Sequence, residues 1–269
     1  MGPLSLNTVT VRDAWSLAQC IEGCARHGIP SIAPWRDVLQ AMGVAAAARA
    51  IGDAGLSVSG LCRGGMFTAA DAAGQEAAIE DNRRAIDEAH RLGAACLVVL
   101  GGGLPPGSRD LVGARAMVRD GMAAIVDEAR AAGVTLALEP LHPMTCADRC
   151  VVSTLGQALD LCDALGPGVG VAVDVYHVWW DPDVAAQIAR AGRRIAAFHV
   201  CDWLVPTTDL VFDRGMPGDG VIDIAGIRAM VEAAGYAGAV ECEILSKRWW
   251  QRDPDEVLDL IVQRHATCC

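Results

Sequence analysis

The stretch GVAVDVYHVWWDP, residues 170–182, places an acidic residue at the end of an apolar run. Its first half is rich in Val and begins with Gly, a composition typical of a strand that is buried on both faces. Asp174 lies near the end of this run, and His177 follows three residues later. An ionised carboxylate in dry surroundings is costly unless a cation or a hydrogen-bond donor pairs with it. The sequence therefore predicts a charged partner for Asp174.

Apolar runs of this kind recur along the chain and alternate with longer, Ala-rich helical patterns. The predicted strands are LSLNTVT, SIAPW, LSVSGLC, CLVVLGG, VTLALEP, GVAVDV, IAAFHVCD and AVECEIL. Helical patterns over residues 14–28, 75–93, 114–133, 154–166 and 224–235 each end in Gly, a common helix stop. Eight strand–helix units in 269 residues predict an α/β fold, a single (β/α)8 barrel with a closed parallel sheet over residues 1–269.

A doubly wound open sheet is the alternative architecture. Such a sheet often carries a glycine-rich dinucleotide fingerprint at the start of a helix. The stretch LGGGLPPGSRD after the fourth predicted strand has the glycines, but Pro105 and Pro106 prevent an immediate helix. We therefore interpret this stretch as a loop over the barrel mouth.

The composition argues against several classes of partner. A net charge of −11 and a pI near 4.9 argue against a nucleic acid, which is bound through clustered Lys and Arg. Apolar runs stay short of the roughly 18 residues that a membrane span needs, and no signal peptide is evident, so we expect no membrane partner and a cytoplasmic location.

Most of the eleven cysteines lie in apolar segments, as expected for buried thiols in a reducing compartment. The segment SKRWWQRDP predicts an exposed aromatic surface that could form a homo-oligomer.

Ionisable side chains fall near the ends of four consecutive predicted strands. Glu139 ends the fifth strand, Asp174 lies near the end of the sixth, and His199 lies late in the seventh. The eighth carries Glu241 and Glu243, whose side chains share a face because they lie two residues apart. Catalytic groups of a (β/α)8 barrel collect at the C-terminal ends of the strands. Glu243 is nearer that end and is the better candidate to join the others.

Three carboxylates and one imidazole at a common rim would repel one another unless a cation joined them. We therefore predict one divalent metal ion, with these ligands: Glu139, Asp174, His199 and Glu243. An oxygen-rich set with one nitrogen favours Mn²⁺, Mg²⁺ or Co²⁺ over a structural zinc site. Taken singly, a Glu at a strand end is more often solvated or paired with Arg, and a buried His is more often a hydrogen-bonded core residue. The placement of all four on neighbouring strands favours the metal.

Five motifs, in this order, resemble the xylose isomerase-like TIM-barrel superfamily of sugar isomerases and epimerases: LEPLHP, DVYH, FHVCDW, DRGMPGDGVID and GYAGAVECEIL. The resemblance covers nearly the whole chain and implies one divalent ion, most often Mn²⁺, on the four residues named above. It also implies that Glu139 and Glu243 move a proton next to the carbonyl of a small sugar or polyol, through a metal-stabilised enediolate. His177 and Arg214 match residues that contact the substrate in this superfamily.

Two more residues are candidates for the site. His142 follows Glu139 by three residues, and lyases of this superfamily have a similarly placed His as a second acid or base. The alternative is a loop His that caps the turn at Pro143. Arg63, in LCRGG, could bind a substrate hydroxyl or carboxylate, or it could pair with a neighbouring acid.

Three functions remain open at this stage. The isomerase or epimerase is the first. A metal-dependent lyase or dehydratase would use the same ligands and begin from the same enolate, with β-elimination of a keto-inositol, a dehydroshikimate or a 3-keto glycoside. The third is a sugar-binding barrel without catalysis, which has little need for two acid/base glutamates. The sequence contains no evident phosphate motif, which favours an unphosphorylated substrate.

Overall fold

The computed structural model describes residues 2–269 and is organised around one sheet of nine parallel strands. These strands are β1 (Leu4–Asn7), β2 (Ser31–Ala33), β3 (Ser57–Val58), β4 (Leu61–Gly65), β5 (Cys96–Leu100), β6 (Thr135–Leu138), β7 (Val169–Asp174), β8 (Ile195–Val200) and β11 (Val240–Cys242). Their order in the sheet is β3-β2-β1-β11-β8-β7-β6-β5-β4. A separate antiparallel pair, β9 (Asp202–Trp203) and β10 (Arg214–Gly215), lies in the loop after β8.

Ten α-helices connect the strands in the described part of the chain. They are α1 (Leu17–His27), α2 (Arg36–Met42), α3 (Val44–Asp53), α4 (Ala72–Leu92), α5 (Leu111–Ala132), α6 (Leu155–Leu165), α7 (Val175–Val178), α8 (Val184–Ala191), α9 (Ile224–Ala233) and α10 (Pro254–Cys268). The five predicted helical patterns correspond to α1, α4, α5, α6 and α9. The first three of these end at Gly28, Gly93 and Gly133, whose left-handed φ values of 67°, 65° and 70° suit glycine.

The sheet is nearly closed into a barrel, because β3 and β4 together form one stave. β3 pairs with β2 and β4 pairs with β5, and only Ser59 and Gly60 separate the two short strands. Beyond the end of β2, Trp35 pairs with Cys62 of β4, and the Cys62 N–H donates to the Pro34 carbonyl at 3.0 Å. The eight staves confirm the predicted (β/α)8 architecture, and the third predicted strand is divided in two.

The barrel interior contains small side chains one layer below the polar rim. Ala137, Ala172 and Ala197 lie in one buried cluster with Cys62, Cys96 and Val98, apart from the larger core between the sheet and the helices. Each alanine lies two residues before a polar rim residue on the same strand line, and therefore faces the same way. Such small residues leave room for polar side chains inside the barrel.

Two sequence predictions on the surface and the thiols have different outcomes. All eleven cysteines are free, and the five predicted to be buried are buried: Cys62, Cys96, Cys162, Cys201 and Cys242. The prediction of an exposed aromatic surface at SKRWWQRDP is wrong. Trp249 is only 8% exposed, and Trp250 is half-buried, with its indole N–H donating to the Val9 carbonyl at 2.7 Å. Within residues 2–269, every helix is too short or too polar to cross a membrane.

Candidate metal centre and its cavity

The four ionisable residues of the predicted rim lie together at the C-terminal end of the barrel. Glu139 directly follows β6, Asp174 ends β7, His199 lies in β8, and Glu243 directly follows β11. Asp174 is the register partner of His199, and β6, β7, β8 and β11 are neighbours in the sheet. One potential ligand atom from each of the four residues lies within 4.8 Å of the others, and all four residues are buried.

His199 is held between two carboxylates. Its Nδ1 lies 3.1 Å from Glu139 Oε1, and its Nε2 lies 3.5 Å from Glu241 Oε1 without a hydrogen-bond partner in residues 2–269. Burial opposes protonation of the ring, but the negative charges of Glu241 and Glu139 outweigh it and hold the pKa of His199 well above its usual value. The neighbouring carboxylates therefore favour positive charge at the position of the His199 ring.

Burial also acts on the carboxylates of the cluster. It raises the pKa of Glu243 to about 7, against the opposing positive charge of Arg214. Burial raises the pKa of Asp174 as well, and Arg214 again opposes the shift. These directions mean that burial disfavours the ionised form of both carboxyl groups, which a nearby cation or a proton would offset.

Arg214 is the protein's own cation at this position. Its Nη1 donates to Asp174 Oδ2 and to Glu243 Oε2, both at 3.0 Å, and the residue is only 4% exposed. Its guanidinium carbon lies 4.5 Å from the centre of the Tyr176 ring, and its Nε has no hydrogen-bond partner among the described residues. β10 carries Arg214 into the barrel mouth, and the buried Asp202 anchors the loop that follows by accepting the Gly218 and Gly220 N–H groups at 2.9 and 2.8 Å.

The donor set fits a divalent cation. Three carboxylates and one imidazole, all buried within a few ångströms, are ligands that hard and borderline divalent ions accept. Arg214 contacts Asp174 and Glu243, and a divalent ion in the cluster would add positive charge next to all three carboxylates. A metal ion can therefore be held by these residues.

A polar layer below the cluster supports it. The Asn7 side-chain amide donates to Glu241 Oε1 at 2.8 Å and to Glu243 Oε1 at 3.1 Å, while Ser59 Oγ donates to Glu241 Oε2 at 2.7 Å. The Trp35 indole N–H donates to Asn7 Oδ1 at 2.8 Å and fixes the amide orientation. Glu241 thus belongs to the support of the cluster, as its deeper position on β11 suggested.

The structure places the two predicted histidines differently. His177 is buried beside the cluster, and its Nδ1 accepts the His142 backbone N–H at 3.0 Å, so the neutral ring carries its proton on Nε2. Burial and then the positive charge of Arg214 hold the pKa of His177 well below its usual value. His142 caps the turn at Pro143, since its Nδ1 accepts the Met144 N–H at 3.2 Å. Its ring stacks on Trp203 with centroids 4.8 Å apart, and burial lowers its pKa.

A cavity lies above the cluster. Its polar and aromatic lining consists of Trp35, Arg63, Glu139, Arg149, His177, Arg214 and Glu243. Arg63 is thus part of the cavity lining, whereas His142 is not among the residues that line it. A second, larger cavity opens at the opposite end of the barrel, around Thr135, Gly168 and Ile195. That end does not gather a cluster of buried ionisable groups in residues 2–269, and catalytic sites of such barrels lie at the C-terminal end.

Sequence reasoning missed three residues of this site. Asn7 is a polar residue at the C-terminal end of β1, and this position was a signal that could have found it. Asp202 follows β8 within the FHVCDW motif and is buried. An acidic residue ahead of the glycine-rich stretch RGMPGDG was a signal for a side chain that accepts backbone N–H groups of that loop. Arg149 gave no local signal, because only the folded loop brings it to the cavity.

A family model described as the xylose isomerase-like TIM barrel matches residues 21–262. The chain belongs to this family. The match includes all four residues of the cluster and both strands of the β9–β10 pair.

Individual relatives were found by structure and by sequence. The crystal structure of protein SMc04130 from Sinorhizobium meliloti 1021 is 59% identical, covers 99% of this chain and 98% of its own, and superposes with a TM-score of 0.98. An inosose isomerase of Halalkalibacterium halodurans is 28% identical over 151 residues, which cover 50% of each chain. An L-ribulose-5-phosphate 3-epimerase of Salmonella paratyphi C is 30% identical over 135 residues, covering 49% of this chain and 44% of the relative. The chain thus matches about half the length of these two sugar enzymes.

Proposed function

We propose that this protein is a divalent-metal-dependent isomerase or epimerase of a small sugar or polyol, with Glu139 and Glu243 transferring a proton next to a substrate carbonyl. The single observation that carries the proposal is that both glutamates line one cavity and belong to one buried four-residue cluster. Two carboxylates that face the same substrate can remove a proton from a carbon and return one, which is the chemistry of isomerisation and epimerisation.

The environment of Glu243 suits proton transfer. A general base works best when its pKa lies near the operating pH, and burial raises the pKa of Glu243 to about 7. Glu139 faces the same cavity from β6, across the cluster from β11. We assign one glutamate to proton removal and the other to proton return.

The proposed cation is Mn²⁺, with Mg²⁺ or Co²⁺ as alternatives, held by Glu139, Asp174, His199 and Glu243. When bound, it would polarise a substrate carbonyl and stabilise the negative charge that develops as the proton leaves the adjacent carbon. The choice of ion rests on the oxygen-rich ligand set.

His177 and Arg214 are proposed to orient the substrate. His177 is neutral with its proton on Nε2, which lies 3.1 Å from Arg214 Nη2, so both groups present hydrogen-bond donors at the cavity. Because these nitrogens lie only one hydrogen-bond length apart, one oxygen acceptor beside them, such as a substrate hydroxyl or carbonyl, would accept from both.

The relatives support the same class of reaction. Their names specify an isomerase of inosose and a 3-epimerase of L-ribulose 5-phosphate. Both reactions move a proton next to a carbonyl. The eleven free cysteines support the proposed cytoplasmic location.

The test is solvent exchange at the substrate carbon. The protein loaded with Mn²⁺ is incubated in D₂O with a panel of ketoses and keto-polyols, and deuterium incorporation is followed by NMR and mass spectrometry. We expect incorporation that depends on the metal and is lost in Glu139→Gln and Glu243→Gln, with the exposed Arg49→Gln as the matched control. Release of water or of another leaving group would instead identify a lyase. Metal binding with no exchange on any substrate would overturn the proposal.

A further inference from the structure

Within residues 2–269, two arginines at the mouth of the cavity have no ionic partner. Of all arginines that are at least half-buried, Arg63 and Arg149 are the two whose guanidinium groups make no hydrogen bond or ion pair within residues 2–269. Comparable arginines nearby are paired, such as Arg36 with Asp81 at 2.7 Å and with Glu88 at 2.5 Å. A guanidinium that is half removed from water and left unpaired loses hydration without compensation.

The chain holds Arg63 in place from two sides. The Asn82 side chain, which is fully buried in α4, donates to the Gly65 carbonyl at 2.8 Å and so fixes the end of β4. The Arg63 guanidinium carbon lies 5.9 Å from the centre of the Trp35 ring, and the Asn7 amide fixes that ring. The stacking leaves the hydrogen-bonding edge of the guanidinium free.

Arg149 lies on a tightly anchored loop. Its backbone N–H donates to the Thr145 carbonyl at 2.9 Å, and the Thr145 hydroxyl donates to the His142 carbonyl at 2.9 Å. The loop that follows β5 contacts the same segment, since the Leu104 N–H donates to the Ala147 carbonyl at 2.7 Å. Burial, followed by the positive charges of Arg214 and Arg63, lowers the pKa of Arg149. The two arginines therefore add to the charge of Arg214 in one cavity.

The charge balance of the occupied site is positive. Four buried carboxylates, Glu139, Asp174, Glu241 and Glu243, exceed the charge of a divalent ion by two units, and the three arginines of the cavity more than offset those two units. The protein as a whole has a net charge of −11, so the positive charge of this site is opposite in sign to that of the whole chain. A neutral sugar has no group that would complement it.

We propose that Arg63 and Arg149 bind an anionic oxygen group of the substrate, a carboxylate or a phosphate, so that the substrate is a keto-sugar acid or a sugar phosphate. This inference rests on the proposed function of the same site. The planar guanidinium matches both groups through paired N–H donors and needs no glycine-rich loop. The absence of a phosphate motif in the sequence is therefore compatible with either anion.

The test measures binding rather than turnover. Protein loaded with Mn²⁺ is titrated by calorimetry with three ketoses that differ only at C6: D-fructose, D-fructose 6-phosphate and D-fructuronate. Inorganic phosphate and malonate serve as probes that do not depend on sugar stereochemistry. Each is repeated with Arg63→Gln, Arg149→Gln, the charge-keeping Arg149→Lys and the exposed control Arg49→Gln.

We expect at least one anionic probe to bind roughly 10-fold or more tightly than D-fructose, and the advantage to fall by a similar factor in each Gln variant but not in the control. Arg149→Lys should keep part of it. Preference for the phosphates or for D-fructuronate and malonate identifies the anion. Equal binding of all probes, or anion binding that survives both Gln changes, overturns the inference. Deuterium exchange on neutral ketoses with no anion preference would overturn this inference and leave the proposed function standing. Anion binding without exchange on any substrate would support this inference and overturn the proposed function.

Discussion

The two ends of the barrel differ in whether their charged side chains are exposed or buried. At the end where the parallel strands begin, Arg190 forms ion pairs with Asp160 and Asp163 at 2.7 and 2.6 Å, and these carboxylates are largely exposed. At the end where the strands finish, Glu139, Asp174 and Glu243 are buried close together, and Arg214 contacts two of them. Exposed pairs contribute little to stability and their loss is easily compensated by water. Buried, unbalanced charge is costly and is retained where something else binds.

This difference separates the residues that maintain the fold from those proposed to act. Changes at the C-terminal rim should alter metal binding, exchange and the pH dependence of stability. Changes at the other end should alter little. The following predictions run from the largest expected effect to the smallest.

Glu243→Gln should have the largest effect. The amide keeps the size of the side chain but cannot accept a proton, so we expect substrate deuterium exchange to fall by about 10²- to 10⁴-fold. The measurement is the exchange rate in D₂O at saturating Mn²⁺, with circular dichroism confirming the fold. A variant that folds, binds the metal and still exchanges at the original rate would remove Glu243 from the mechanism.

The metal-free protein should lose stability as pH rises. A carboxyl group whose pKa is raised on folding contributes stability that is complete below its unfolded value of 4.5 and is lost as pH passes the folded value, here about 7 for Glu243. His199 and Asp174 shift in the same direction. The lowered pKa of His177 acts oppositely, but only below its ordinary value of 6.5.

Urea unfolding of the metal-free protein between pH 6.5 and 8.5 measures this effect, of which Glu243 alone accounts for about 1 kcal/mol in this range because most of its contribution is lost between pH 4.5 and 7. Saturating Mn²⁺ should flatten the profile, because a bound cation keeps the carboxylates ionised throughout. Identical profiles with and without the ion would contradict the assignment of the cluster as its binding site.

Glu241→Gln should weaken metal binding by roughly 10- to 100-fold. Glu241 Oε1 lies 3.5 Å from His199 Nε2, so the carboxylate favours a proton on that nitrogen and leaves Nδ1 free to face the cluster. Competition titration with a Mn²⁺ chelator gives the affinity, and the exposed Glu22→Gln is the control. Unchanged affinity would mean that the carboxylate serves only Asn7 and Ser59.

Asp163→Asn should have the smallest effect, although it removes contacts to both Arg190 and Arg194. Because these side chains are in contact with water, we expect unchanged exchange rates and a melting temperature close to that of the parent. A marked loss of exchange would mean that the two ends of the barrel are coupled, and the comparison between them would fail.

The sequence was sufficient for the rim because strand geometry is simple. Glu139, Asp174, His199 and Glu243 end neighbouring parallel strands, and alternation of side chains fixed which glutamate of β11 would join them. The same alternation could not divide β3 from β4, because a two-residue interruption between paired strands leaves no hydrophobic signal.

Loops were the part that local pattern could not predict. Arg149 reaches the cavity through hydrogen bonds between two separate loops, and Trp249 is buried by packing of distant segments. Arg214 was found only through its resemblance to a family position. Its direct contacts with Asp174 and Glu243 depend on the pairing of β9 with β10. Each of these strands is only two residues long, so the sequence carries no pattern that predicts their pairing.

The spacing of the two glutamates on β11 imposes a parity rule on that strand. Glu241 and Glu243 point into the barrel, while Cys242 between them packs in the outer core. Inserting or deleting one residue ahead of Glu241 would turn the Cys242 thiol into the barrel and point the carboxylates of Glu241 and Glu243 towards the helices. A change of two residues at the same place would preserve the alternation. The segment can therefore change length only in even steps, and natural or engineered variants with an odd change here should fail to assemble the centre.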